Sequence, residues 1–233
     1  MKVIILCGGL GSRLSEETQK IPKPMVKIGN KPILVHIMNI YSKHGYRDFI
    51  LALGYKQNII RSYFKKNKYQ NWNIKLVDTG LNTLTGKRLF KLKKYFKKNE
   101  DFFLTYGDGL SNLNIKSLLQ FHKKSKKIAT VTAVRPPARF GELKIKNKNL
   151  VSNFDEKNQI NTGWINGGFF VFNSQVFNFI PKSNTMLERN TMVNLTRKKQ
   201  IVAFKHLNFW QCMDNLRDKN LLNSIWKKNK KLW

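Results

Sequence analysis

The chain has 233 residues, with 44 Lys and Arg against 13 Asp and Glu for a formal net charge of +31, yet 41% of it is hydrophobic and 12% aromatic. That apolar content excludes a disordered polyelectrolyte, because burying it can offset the entropy of ordering the backbone, and the length suits one sizeable core. The charge raises the question of nucleic acid, but 35 Lys outnumber 9 Arg and spread over nearly every segment beside 26 Asn and 19 Ile, a drift toward the residues of A/T-rich codons more than a phosphate-reading surface, where Arg would lead.

From the start, residues 3–7 form a short apolar run ended by Gly8 and Gly9, as in a strand buried on both faces of a parallel sheet. Five apolar residues are too few for an export signal, and no other run approaches a membrane span. Pro32 opens a helix over 33–41 with Gly45 just past its end; 48–53 is the next strand and 58–66 the next helix. The alternation continues with a strand at 74–78, a basic helix at 86–98, a strand at 102–106, a helix at 115–124 and a strand at 128–134. Beyond Pro136 and Pro137 the grammar changes: 143–145 and 150–154 flank a polar turn as a hairpin, strands follow at 169–172 and 201–204, and a last helix runs over 214–227. This order predicts an α/β fold, a Rossmann-like doubly wound mixed sheet with a β-hairpin extension, and one domain over 1–233. Cys7 and Cys212 are too few for a disulfide framework or a zinc site, so the chain reads as cytoplasmic.

The chemistry concentrates after the first strand. Gly8-Gly9-Leu10-Gly11-Ser12-Arg13-Leu14 allows backbone N–H groups to turn toward an anion, and Arg13 and Lys23, the latter inside Pro22-Lys23-Pro24, add charge for a polyphosphate. The pattern is neither a P-loop nor a dinucleotide fingerprint. Acids are scarce, so each is a candidate for a role, and Asp108 stands at a strand end between Gly107 and Gly109.

With these blocks the chain resembles the sugar-1-phosphate nucleotidyltransferases, and among them the cytidylyltransferases that act on glucose 1-phosphate. The resemblance is carried further by Leu76-Val77-Asp78-Thr79-Gly80 with Thr85-Gly86-Lys87-Arg88, by Tyr106-Gly107-Asp108-Gly109, by Arg139-Phe140-Gly141, by Ile165-Asn166-Gly167-Gly168, and by Trp210 to Lys219. It covers nearly the whole chain in the family's order. It implies Mg²⁺-dependent reaction of CTP with glucose 1-phosphate, with Asp108 and Asp214 as metal ligands and Arg13, Lys23 and Asp108 as catalytic residues. Leu6, Gly8, Gly9, Gly11, Ser12, Arg13, Lys23, Thr79, Gly80 and Arg88 would bind the nucleotide, mainly from residues 1–135. Gly141, Glu156, Lys157, Asn166 and Gly167 would bind the sugar phosphate, mainly from 136–233. Asp218, a helical turn past Asp214 and beside Arg217, reads as half of a local ion pair and not as a third ligand. The resemblance further implies a homo-oligomer and no nucleic-acid or membrane partner. UTP or dTTP in place of CTP, another hexose 1-phosphate, a non-catalytic regulatory homologue and a basic nucleic-acid-binding module stay open as alternatives. Two departures are visible: residues 65–73 are a short Lys/Asn-rich bridge where relatives carry a longer segment, and 182–200 match poorly around Glu188.

Overall fold

A computed structural model describes residues 1–136, 142–155, 163–230 and 232–233. Seven strands form the central sheet: β1 (Lys2–Cys7), β2 (Asp48–Leu53), β3 (Asn73–Asp78), β4 (Asp101–Tyr106), β5 (Ala129–Val134), β6 (Ile165–Asn173) and β7 (Ile201–His206). Their spatial order is β7-β5-β6-β4-β1-β2-β3. All neighbours are parallel except those of β6, which runs antiparallel to β4 and β5. The doubly wound mixed sheet expected from the sequence is therefore the fold.

Both faces are covered, as the continuous apolar strands require. Val3, Ile5 and Cys7 face one core, where helices α1 (Ile33–Ser42), α2 (Gln57–Lys66), α4 (Ile115–Ser125) and α5 (Leu216–Lys228) pack. Ile4 and Leu6 face the other, with Leu89 of α3 (Thr85–Phe90), Phe177, Leu187 and Leu195. The chain's order of neighbours reverses at β1, between β4 and β2. In such sheets ligands bind outside the carboxyl ends of the strands at this switch point.

Three local features depart from expectation. The basic helix expected over 86–98 stops at Phe90 and resumes only as a 3₁₀ turn, Lys93–Tyr95. Lys87 and Lys91, Lys93 and Lys97, and Lys94 and Lys98 are like-charged pairs four residues apart, which oppose a continuous helix. Strand β6 begins at Ile165, earlier than its apolar core, and its register against β5 shifts between Asn166 and Phe170. The chain also makes a short antiparallel pair, Gly109–Ser111 with Trp210–Cys212, joining residues about a hundred positions apart. The expected hairpin forms from Glu142–Ile145 and Val151–Asp155.

Candidate active site

At the carboxyl ends of β1 and β4 lies a cleft of about 650 Å³. Its floor follows from backbone proximity. Gly107 follows β4 so closely against β1 that a Cβ there would lie 3.0 Å from the Leu6 carbonyl. Gly11, with φ +69°, reverses the chain after β1, and its carbonyl accepts from Leu14 N–H at 3.0 Å.

The short Gly109–Ser111 and Trp210–Cys212 pair assembles the charged end. Cys212 pairs with Gly109, and Met213 N–H donates to the Asp108 carbonyl at 2.9 Å, which brings Asp214 beside Asp108. Asn215 caps α5 by accepting from Asp218 N–H, and the Asp218 carboxylate reaches back to accept from Asp214 N–H at 2.9 Å. Asp218 is buried, so the expected local ion pair with Arg217 gives way to a bond that fixes the Asp214 backbone.

Between the two aspartates sits the Lys23 ammonium, 2.7 Å from Asp108 Oδ2 and 2.8 Å from Asp214 Oδ1; Arg13 lies 2.9 Å from Asp214 Oδ2. Burial by itself would lower the Lys23 pKa, but Asp108 and then Asp214 outweigh it and the net shift is upward. Burial likewise pushes Asp214 up, and Lys23 with Arg13 reverses this to leave it lowered. Cys212 is pushed up to about 12 by burial and then by Asp214, so it stays a thiol.

Carboxylate oxygens from both aspartates within 2.8 Å of one nitrogen converge on a volume that a single cation fills. Mg²⁺ favours hard oxygens and is commonly held by one or two carboxylates plus substrate phosphates and water, so this donor set fits it. Among the described residues there is no cluster of three or more potential metal-ligating side chains.

The other end of the cleft is a hydrogen-bonded chain of neutral and acidic groups. The bulge at Gly167 and Gly168 in β6 turns Asn166 toward the cleft, where its Nδ2 approaches Tyr106 Oη at 3.4 Å and its Oδ1 accepts from Gly168 N–H. Tyr106 donates to Glu188 Oε1, and Thr85 donates to Glu188 Oε2 at 2.8 Å. Burial, then the Glu188 charge, raises the Tyr106 pKa, so the phenol keeps its proton and remains a donor. Trp210 Nε1–H donates to the Gly167 carbonyl at 2.7 Å.

Of the residues expected at the site, Leu6, Gly8, Gly9, Gly11, Ser12, Arg13, Lys23, Arg88, Asp108, Asn166, Gly167 and Asp214 line this one cleft. Thr79 and Gly80 lie outside its wall: Thr79 is fully buried and its hydroxyl donates to the Leu53 carbonyl. Arg88 is buried behind the glycine loop, its guanidinium donating to the carbonyls of Leu53, Gly8 and Thr83 and to the Thr79 hydroxyl. Gly141, Glu156 and Lys157 lie outside the described residues. Tyr106, Glu188 and Trp210 enter the site without a role assigned from sequence. For Glu188 a signal existed, since it is one of only 13 acids.

Comparison with known proteins places the chain in a family. The family model for nucleotidyl transferase matches residues 2–215. The chain is 44% identical to glucose-1-phosphate cytidylyltransferase of Salmonella typhimurium, covering 100% of this chain and 98% of the relative, and 38% identical to a probable glucose-1-phosphate cytidylyltransferase of Bacillus subtilis, covering 100% and 99%. These alignments run over 254 positions, so the relatives carry segments that this 233-residue chain lacks. Among solved structures, HddC from Yersinia pseudotuberculosis complexed with GMP-PN superposes with a TM-score of 0.75 at 25% identity, covering 97% of this chain and 99% of that one. A UDP-glucose pyrophosphorylase complexed with UDP-glucose matches with a TM-score of 0.74 at 16% identity, covering 98% and 99%, a likeness of fold.

Proposed function

The chain belongs to the nucleotidyl transferase family, and from that premise we propose that it transfers the cytidylyl group of CTP to glucose 1-phosphate, giving CDP-glucose and pyrophosphate. The observation that carries the reading is the meeting of Asp108 and Asp214 around Lys23 beside the glycine loop, in a chain 44% identical over its whole length to an enzyme named for that reaction.

A phosphate oxygen of glucose 1-phosphate attacks the α-phosphorus in line; the new P–O bond forms as the bond to the β-phosphate breaks and pyrophosphate leaves. The reaction requires no nucleotidylated enzyme intermediate, so the chain contributes positioning and charge. Backbone N–H groups over residues 8–12 cradle the triphosphate. Arg13, exposed at the cleft mouth, meets the departing pyrophosphate, and Lys23 meets the α-phosphate. Asp108 and Asp214 would hold Mg²⁺, which when bound would screen the repulsion between the two phosphates. Glu156 and Lys157 serve the sugar hydroxyls and sugar phosphate, and Gly141, Asn166 and Gly167 border the hexose. In this division of labour one domain, 1–233, gives most of its nucleotide contacts from 1–135 and most of its sugar contacts from 136–233. Arg88, Thr79 and Gly80 shape the base end from behind, with Arg88 spent on backbone carbonyls.

No described helix is long and apolar enough to cross a membrane, and both cysteines are free, which suits the reducing cytoplasm. A homo-oligomer belongs to the same proposal and is checked by sedimentation.

Asp108→Asn is expected to fold normally, judged by circular dichroism, and to lose at least about 100-fold in turnover. Wild-type pyrophosphate release by that variant overturns the assignment. CTP, UTP, dTTP, ATP and GTP offered with a panel of sugar 1-phosphates decides the nucleotide and hexose.

A further inference from the structure

Lys23 is set deeply in the cleft, its side chain 11% exposed, and it bridges both candidate metal ligands. With Arg13 on the second oxygen of Asp214, most of the carboxylate oxygens available to a divalent ion already face a nitrogen. The backbones that carry the two carboxylates are held in place. Asp108 is tied to the opposite part of the chain through its carbonyl and Met213 N–H, and the Asp214 backbone is held by Asp218. The movable group is the lysine, a flexible side chain rooted on the short turn Lys23–Met25.

We infer that Lys23 is an internal counter-cation that keeps the aspartate pair assembled and closed to free divalent ions, yielding it only when a nucleoside triphosphate draws the ammonium onto phosphate. The inference rests on the reading of Asp108 and Asp214 as metal ligands. A divalent ion arriving alone must either displace a buried ammonium from the two carboxylates that hold it or sit beside it, and charge repulsion opposes both. A triphosphate supplies an acceptor for Lys23 and for Arg13 and adds ligands that Mg²⁺ prefers. Metal and nucleotide then favour each other reciprocally, because each relieves what the other would otherwise leave uncompensated. The site takes its metal with the substrate and not ahead of it.

The test uses Mn²⁺ as the probe, in the absence of nucleotide, with free Mn²⁺ followed by electron paramagnetic resonance. Lys23→Met keeps the stem and removes the charge. It is expected to bind Mn²⁺ at least about tenfold more tightly than the wild-type chain, the scale of ordinary coupling between sites, and adding Asp108→Asn to it is expected to abolish that gain. A wild-type chain that binds Mn²⁺ as tightly as Lys23→Met overturns the inference, as does a double variant that keeps the gain. The wild-type protein gives a second measurement should the variant not fold: Mn²⁺ alone is expected to leave its melting temperature unchanged, and a clear rise overturns the inference. Failure of the underlying metal reading is distinguishable, since it appears as full turnover by Asp108→Asn, whereas an inactive Asp108→Asn with no tightening in Lys23→Met sinks only the role of Lys23.

Discussion

Gly8 illustrates how much one residue decides here. A Cβ at this position would lie 2.1 Å from an Arg88 guanidinium nitrogen, and one at Gly54 would meet the carbonyls of Gly8 and Gly80 at 2.8 and 2.9 Å. The buried guanidinium therefore occupies space that only glycines leave, and in return it satisfies carbonyls that the sharp turn after β1 exposes. Arg88 has its pKa lowered by burial, but a guanidinium stays charged, and its solvation is supplied by peptide oxygens. Gly8→Ala is expected to push this group out and destabilise the fold by about 1–3 kcal/mol, the usual range for overpacking, with a raised KM for CTP. Denaturant unfolding checks the first part and steady-state kinetics the second; unchanged values in both would show that Arg88 moves aside freely.

Among the elements, α1 carries an internal pH dependence. His36 on its buried face accepts a hydrogen bond at Nδ1 from Trp233 Nε1 at 3.1 Å, while Nε2 lies 2.9 Å from the Ile28 carbonyl. Trp226 meets the ring edge-on at 4.7 Å between centroids. Nδ1 must be unprotonated to accept, so Nε2 carries the hydrogen. Burial lowers the pKa of His36, and burial does the same for His206. The unfolded chain then binds protons that the folded chain refuses, so their contribution is intact above the unfolded value of about 6.5 and is lost as pH falls below it toward the folded pKa. Thermal melts are expected to show a lower melting temperature at about pH 5.5 than at about pH 7.5, with a shallower dependence in His36→Asn. A melting temperature that rises on acidification contradicts this account.

For the whole molecule the dominant fact is the net charge of +31. Self-repulsion on that scale opposes the compact state and is screened by salt, so the melting temperature is expected to rise from about 10 mM to about 150 mM NaCl as the Debye length shortens from about 30 to about 8 Å. The same field draws in triphosphate and sugar phosphate, so kcat/KM for CTP is expected to fall over that range, measured at fixed Mg²⁺. A rate indifferent to salt would leave the lysines without a part in substrate capture.

The sequence by itself determined the alternation of apolar strands and helices, and with it the doubly wound sheet, because strands buried on both faces must read as continuous apolar runs. It also showed the glycine loop, Lys23 and Asp108, whose chemistry is local to a few adjacent residues. The tertiary structure alone decided the rest. The sequence pairs Asp214 with Asp108 only through the family resemblance; the contact itself is made by a three-residue pairing, Gly109–Ser111 with Trp210–Cys212, too short to leave a periodic signal. Glu188 enters the cleft through bonds to Thr85 and Tyr106 across about a hundred and about eighty positions of chain. Asp218 beside Arg217 reads as half of a local ion pair, but it is buried and turned to the Asp214 backbone. Such contacts depend on which strand ends the sheet brings together, and local sequence carries no record of that.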